Sequence, residues 1–112
     1  MSVHGTPAAA ELLAAVREWI ERDVLPSTEG RLRFHARVAA NVVATVEREM
    51  ALGPEQEAAH RERLASLGMA DDGELARAIR SGVLDDRLDE VRAAIRVDVD
   101  DRLAVANPNY RL

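Results

Sequence analysis

The chain contains no cysteine and no lysine, and only three of its 112 residues are aromatic. The absence of cysteine excludes disulfides, thiolate nucleophiles and zinc or iron–sulfur sites with cysteine ligands. Positive charge comes from 15 arginines alone, and 20 acidic residues outweigh it to give a formal net charge of −5. Because nucleic-acid binding requires a broad cationic surface, we expect no nucleic-acid partner.

Long apolar runs and recognisable active-site motifs are also absent. The longest apolar run, from Val42 to Val46, is interrupted by Thr45 and is far shorter than the ~20 residues of a membrane span. The N-terminal residues MSVHGTPAAAELL contain no positively charged leader. Glycine-rich phosphate loops, nucleophile elbows and HExxH motifs do not occur. The sequence therefore predicts a cytoplasmic protein with no membrane partner, no cofactor and no identifiable catalytic residues.

Alanine is abundant, whereas the six glycines and four prolines lie at discrete positions. This pattern is typical of helices with defined ends. Apolar residues recur at three- and four-residue steps, and no segment alternates with the two-residue period of a strand. We expect an all-α, single-domain bundle of four to five antiparallel helices with short loops over residues 1–112. Residues 1–5 are expected to be mobile, and residues 107–112 to form a C-terminal tail.

Capping and breaking residues predict where these helices begin and end. The predicted boundaries, in chain order, are Thr6 to a point before Pro26, Arg31 to Leu52 with a stop at Gly53-Pro54, Pro54 to Gly68, Asp71-Asp72 to Gly82, and Asp85 to Asn107-Pro108. Their apolar faces are expected to form the core: Leu12, Val16, Trp19 or alternatively Ile20, and Val24; Leu32, Val38 with Ala39, Val42, Val46 and Met50; His60, Leu64 and Leu67; Leu75, Ala78 and Ile79; Leu88, Val91, Ile95, Val99 and Leu103.

Charge is unevenly distributed along the chain. Residues 30–46 hold three arginines and no acid, which leaves 12 arginines against 20 acids elsewhere, a net charge of −8. Arg33, Arg37 and Asn41 follow at four-residue steps and share one side of the helix; we call these three residues the arginine face. Guanidinium groups suit carboxylate or phosphate ligands. The arginine face therefore predicts either an anion or partner site, or internal salt bridges to neighbouring helices.

Two further residues are candidates for binding. His35 lies between the apolar and basic sides of the same helix, and no Ser, Cys or carboxylate lies three or four positions away from it. Acid–base catalysis by His35 would therefore require a carboxylate from another helix. Tyr110, in the tail, combines apolar area with a polar hydroxyl and suits an interface. The candidate ligand- or partner-binding residues are Arg33, His35, Arg37, Asn41 and Tyr110.

Metal sites are not predicted. Glu57 and His60 have the spacing found in di-metal helical bundles, but such sites need that pair twice, with two more glutamates. Asp98, Asp100 and Asp101 resemble the start of a calcium loop, yet Arg102 and Leu103 follow where the motif requires other residues. We expect these aspartates to form a solvated helix face, with Asp98 paired to Arg102.

The segments PAAAELLAAVREWI, VLPSTEGRLRFHARVAANVVATVERE, LGPEQE and RLAVANPNY carry a resemblance to a known family. These segments resemble those of small uncharacterised all-helical bacterial proteins. The most distinctive parts of the resemblance are RLRFHARVAAN and NPNY. Genes of that family often lie beside genes for aminoglycoside-phosphotransferase-like kinases and acyl-CoA dehydrogenases. The resemblance supplies no catalytic residues. It implies an accessory or regulatory subunit of such a kinase in acyl-CoA metabolism.

Three hypotheses follow from the sequence. The first is a non-enzymatic helical interaction domain that forms a homodimer and binds a phosphotransferase-like kinase. The second is a small-molecule binder that holds a carboxylate or a CoA phosphate on the arginine face. The third is an enzyme in which His35 meets a carboxylate. The absence of catalytic motifs favours the first of these.

Overall fold

The computed structural model describes residues 6–110, and within them it contains four α-helices and no strand. The α-helices are α1 (Thr6–Trp19), α2 (Gly30–Ser66), α3 (Asp72–Ser81) and α4 (Leu88–Ala106). A π-helical turn (Ile20–Val24) and a 3-10 turn (Leu25–Ser27) follow α1, and a second 3-10 turn (Asp85–Arg87) precedes α4. The all-α prediction is confirmed. The expectation for residues 1–5, and for residues 111–112 of the tail, lies outside the described residues.

The chain divides into two compact units at the boundary between Ala51 and Leu52, which falls within α2. Neighbouring helices run antiparallel in each unit. In the first unit, Arg17 of α1 pairs with Glu47 of α2, and Leu25 packs with Ala36. In the second unit, the Gln56 side chain of α2 donates a hydrogen bond to the Asp101 carbonyl near the end of α4. The assignment of residues 1–112 to one domain stays a prediction.

The predicted stop at Gly53-Pro54 is wrong, because α2 continues through both residues to Ser66. Proline inside a helix lacks the N–H that would donate to the carbonyl four residues earlier, here that of Met50. Good helix formers on both sides, including Leu52 and Glu55, favour the helix over a break. Pro54 is exposed, so its ring projects into solvent. The second and third predicted helices are therefore one helix.

The core of the first unit consists of Ile20, Leu25, Ala36 and Ala40, with Val24 packed against it. Ala36 and Ala40 of α2 pack with Ile20 and Leu25 of the two turns that follow α1, and Ala40 is only 2% exposed. The predicted core positions flanking this contact are wrong. The exposed residues among them are Leu12, Val16 and Trp19 of α1 and Leu32, Val38, Val42 and Val46 of α2. Trp19 is thus a surface residue, since the contact follows the alanines rather than the larger side chains.

The core of the second unit matches the sequence prediction more closely. Leu64, Leu67, Leu75 and Val91 are buried, and they pack with Leu84, which lies outside the predicted helices. On α4, the predicted core residues Leu88, Ile95 and Val99 are instead partly exposed.

The ends of α3 match the prediction. Asp71 caps α3 by accepting a hydrogen bond from the Glu74 N–H at 2.7 Å, and Gly82 ends it with a φ of 83°. That left-handed conformation favours glycine. The predicted cap at Asp85 is wrong, because Asp85 begins the 3-10 turn and α4 begins at Leu88. The predicted end of the last helix before Asn107-Pro108 is confirmed.

The position of Pro54 gives a direct test of the continuous α2 helix. Pro54→Ala restores an N–H donor inside the helix and should raise the free energy of unfolding by about 1–3 kcal/mol. Urea denaturation followed by circular dichroism measures the change. Pro26→Ala is the control, because Pro26 lies in the first turn of its 3-10 segment, where the missing N–H costs little. An unchanged or lower stability for Pro54→Ala would contradict a helix that is continuous at this residue.

Candidate functional site

The arginine face lies on the exposed surface of the N-terminal half of α2. Arg33, Arg37 and Asn41 are all exposed. Their side chains make no hydrogen bond or ion pair with any residue that the structure describes. The polypeptide enters this helix at Gly30, whose φ of 56° again favours glycine, and the Arg33 N–H donates to the Glu29 carbonyl. The three side chains therefore keep their hydrogen-bonding capacity available to an external group.

His35 is also exposed, and its ring contacts that of Phe34 with a centroid distance of 5.8 Å. Among the residues that the structure describes, no carboxylate pairs with it. The geometry of residues 6–110 thus offers His35 no acid–base partner of the kind that the enzyme hypothesis requires.

Tyr110 belongs to the second unit and lies just beyond the end of α4. Its ring is exposed, and its backbone N–H donates a 3.0 Å hydrogen bond to the Asn107 carbonyl across a turn. The turn fixes the backbone at Tyr110 next to the helix end. A partner that binds the second unit can reach this ring from solvent.

A group of charged residues that the sequence analysis did not assign as a site lies in the second unit. It consists of His60, Arg63, Asp72, Asp98 and Asp101, and we call it the His60 network. The His60 Nε2 atom lies 2.9 Å from an Asp72 carboxylate oxygen, and its Nδ1 atom lies 3.0 Å from an Asp98 carboxylate oxygen. The network therefore joins α2 to the first residue of α3 and to α4.

Arg63 extends the network along α4. Its Nε donates to the Asp98 carboxylate at 3.0 Å, one of its terminal nitrogens donates to the same oxygen, and that nitrogen also lies 3.2 Å from Asp101. The side chains of His60 and Asp98 are each 18% exposed. This half-buried position strengthens their interaction relative to a pair in bulk water.

Two opposing effects determine the pKa values in the network. Burial is the largest single influence on His60 and opposes its charged form. The hydrogen bonds and negative charges of Asp98 and Asp72 outweigh burial and raise the pKa of His60 above its ordinary value of 6.5. Burial likewise disfavours the charged form of Asp98, but hydrogen bonds from Arg63 and His60 prevail and lower the pKa of this carboxyl.

The His60 network is suited to holding helices together rather than to chemistry. Both imidazole nitrogens face carboxylates, which favours the doubly protonated ring, and that form has no lone pair for a metal or a substrate proton. Glu57, the other half of the sequence pair, forms an ion pair with Arg61 at 3.4 Å. Within residues 6–110, no group of three or more acidic or histidine side chains could hold a metal ion.

The predicted solvated face on α4 is wrong at Asp98, which pairs with His60 and Arg63 instead of Arg102. A sequence signal for this arrangement exists. His60 and Arg63 are three residues apart, as are Asp98 and Asp101, so two antiparallel helices present matching basic and acidic pairs. For Asp98, the prediction considered only a partner on its own helix, so this match between helices was missed.

Comparison with known proteins adds a family to this description. A family model described as a domain of unknown function, DUF6285, matches residues 26–110. The chain belongs to this family. No curated protein and no solved structure matches the chain.

The DUF6285 match includes both groups of residues described above. It begins at Pro26, before the arginine face, and it ends at Tyr110, beyond the His60 network. All of α1 lies outside the matched range. None of the helices in the described part of the chain is long and apolar enough to cross a membrane.

The His60 network predicts a specific dependence of stability on pH. Because folding raises the pKa of His60, its contribution is full below the unfolded pKa of about 6.5 and is lost as pH rises through the folded pKa. Asp98 has a lowered pKa, so its contribution is full above about pH 4 and is lost as pH falls through the folded pKa. We expect maximal stability between these limits in urea denaturation measured from pH 3 to pH 9.

Substitutions assign this dependence to its residues. His60→Gln should remove most of the decline in stability at alkaline pH, whereas His35→Gln, an exposed histidine without a carboxylate partner among the described residues, should leave it intact. Asp98→Asn should cost about 1–3 kcal/mol at neutral pH, because it weakens hydrogen bonds to charged donors. An alkaline decline that persists in His60→Gln would show that another group causes it.

Proposed function

We propose that this chain is a non-enzymatic helical interaction domain that binds an acidic protein surface through the arginine face. The observation that carries the proposal is the unpaired state of Arg33 and Arg37 in a chain with a net charge of −5. Such a chain has many carboxylates with which these arginines can pair. Arginine fits a carboxylate through two parallel hydrogen bonds, so an acidic partner surface is a suitable counterpart.

The position of these side chains on a regular helix also supports docking. Four-residue steps space the three side chains evenly, and a helix holds them with less freedom than a loop. Charged groups at the rim of an interface mainly increase the association rate and the specificity. His35 and Phe34 lie exposed on the same helix and supply apolar and aromatic area for an interface.

The partner that we propose to test first is a phosphotransferase-like kinase, for which the chain serves as an accessory or regulatory subunit in the cytoplasm. The support for this partner is the resemblance of RLRFHARVAAN and NPNY to the family whose genes lie beside such kinases. Genes for acyl-CoA dehydrogenases often lie beside genes of the same family, which supports a role for the pair in acyl-CoA metabolism. Tyr110 is a second contact point in this proposal.

Co-purification with the kinase tests the proposal. The wild-type chain should co-elute with it at micromolar concentration, and Arg33→Glu/Arg37→Glu should weaken binding by roughly tenfold or more, because charge reversal opposes acidic residues of the partner. Arg77→Glu/Arg80→Glu is the matched control, since both arginines are exposed on α3 and the charge change is the same. Failure of the wild-type chain to co-elute would reject the kinase as partner.

A second proposal rests on the same unpaired side chains. The arginine face would bind a small anion, such as a carboxylate or the phosphates of CoA, with Asn41 as a neutral donor beside the two guanidinium groups. This version requires a ligand that spans neighbouring turns of α2. It differs from protein docking in that a compound alone should stabilise the fold.

Thermal denaturation with a panel of acyl-CoAs, nucleotides and dicarboxylates distinguishes the two versions. A ligand at 100 times its Kd adds about 2.7 kcal/mol to the stability of the bound form. For a domain of this size we expect an increase in Tm of more than about 5 °C, at roughly 4–8 °C per kcal/mol. Arg33→Glu/Arg37→Glu should abolish the increase. No shift with any member of the panel would argue against the small-molecule version.

A further inference from the structure

Eight large apolar side chains of the first unit are exposed among the residues that the structure describes, and five of them are considered together below. Leu12, Val16 and Trp19 of α1 are 68%, 46% and 57% exposed, and Val42 and Val46 of α2 are 57% and 37% exposed. We call these five residues the apolar face. Both helices carry them at the three- and four-residue steps that bury a continuous row against another helix.

Helix geometry places the two parts of the apolar face on the same side of the first unit. Trp19 precedes the buried Ile20, and Val46 precedes Glu47, whose carboxylate faces Arg17. Trp19 and Val46 each come one residue before a residue that faces the other helix. Each therefore lies about 100° away from that residue around its own helix axis, in the same direction of rotation. In an antiparallel pair, equal rotations from the contact lead to the same side, so the apolar face is one surface built by both helices.

The arginine face lies on the opposite side of this helix pair. Arg37 and Asn41 each follow, by one residue, a buried alanine that packs with the turns at the end of α1. Their rotation is therefore opposite in sense to that of Trp19 and Val46. An occupant of the apolar face leaves the arginine face open to a different ligand.

The exposed area is of the size that a stable dimer needs. An aromatic residue has roughly 150–250 Å² of surface and a valine or leucine lies near the lower end, so five residues exposed by about half present on the order of 400 Å². One partner in a standard interface contributes about 800 Å², of which roughly 55–65% is non-polar. The apolar face alone thus supplies most of the non-polar part of such an interface.

We propose that two copies of this chain pair through the apolar face, so that two helix pairs form an antiparallel four-helix arrangement. A helix must bury its apolar side against another element. Among the residues of the first unit whose burial the structure describes, only four are buried, and two of these are alanine. A two-fold axis along the helices brings each α1 beside the partner's α2 and closes the assembly with one self-complementary surface.

Sedimentation velocity over a range of protein concentrations tests the proposal. The wild-type chain should be a dimer at about 50 µM. Val42→Glu and Val16→Glu should each weaken dimerisation by roughly 100-fold or more, because every dimer would then bury two unpaired carboxylates. Val83→Glu is the matched control, since Val83 is an exposed valine in the second unit and lies outside the apolar face. Circular dichroism checks that each variant retains its helices.

Two further measurements test the dimer even if the glutamate variants do not fold. Trp19 is the only tryptophan, so its fluorescence should shift to longer wavelength as the wild-type dimer dissociates on dilution. The chain has no cysteine, so Val46→Cys should be captured as a dimer by a bifunctional thiol reagent, and Val83→Cys should not.

Specific outcomes would overturn this proposal. A wild-type chain that remains monomeric up to about 200 µM excludes the dimer, and a dimer that Val16→Glu and Val42→Glu leave intact excludes this surface. Equal cross-linking of Val46→Cys and Val83→Cys would also exclude the apolar face as the dimer interface. Because Arg33→Glu/Arg37→Glu leaves the apolar face unchanged, loss of partner binding in that variant with retained dimerisation separates the two proposals.

Discussion

The packing of Ala36 and Ala40 of α2 with Ile20 and Leu25, which lie in the turns that follow α1, is the constraint on which the first unit depends. Small side chains let another segment come near the helix backbone, but they contribute little apolar area to a core. The larger side chains of α1 and α2 lie beside this contact instead of within it. The same choice of residues therefore forms the core of the first unit and leaves the surface that a second copy covers in our proposal.

The second unit solves the same packing problem in another way. Leucines supply most of its core, and the His60 network crosslinks α2, α3 and α4 at the edge of that core. The three ion-pair partners of His60 and Arg63 are aspartates, whose short side chains limit the number of geometries available. Each polar group has a charged partner, so the cost of partial burial is offset within the network.

The sequence predicted the fold class because helical periodicity and capping residues are local signals. Asp71 and Gly82 delimit α3 through hydrogen bonds to nearby residues, and these ends were correct. The error at Pro54 arose because the sequence shows the lost hydrogen bond but not the tertiary contacts of both halves of α2. Trp19 was misplaced for a related reason: periodicity identifies an apolar side of a helix, but not which part of it meets a neighbour.

The candidate site was predictable only where it lies on one element. Four-residue spacing on a helix was enough to align Arg33, Arg37 and Asn41, and the structure describes that stretch as continuous helix. Whether glutamates of neighbouring helices pair with Arg33 and Arg37 depends on how the helices pack, and this cannot be read from the sequence. His60 and Asp98 are 38 positions apart along the chain, so their contact follows from tertiary structure.

Pro54 has a consequence for motion as well as for stability. Helix cooperativity is transmitted along the ladder of backbone hydrogen bonds, and each bond fixes the residues needed for the next. The missing hydrogen bond would join position 54 to the Met50 carbonyl, so it spans the boundary between the two compact units. Local unfolding that begins before or after Pro54 therefore does not spread readily along α2. Amide hydrogens in the two parts of the helix can then exchange at independent rates.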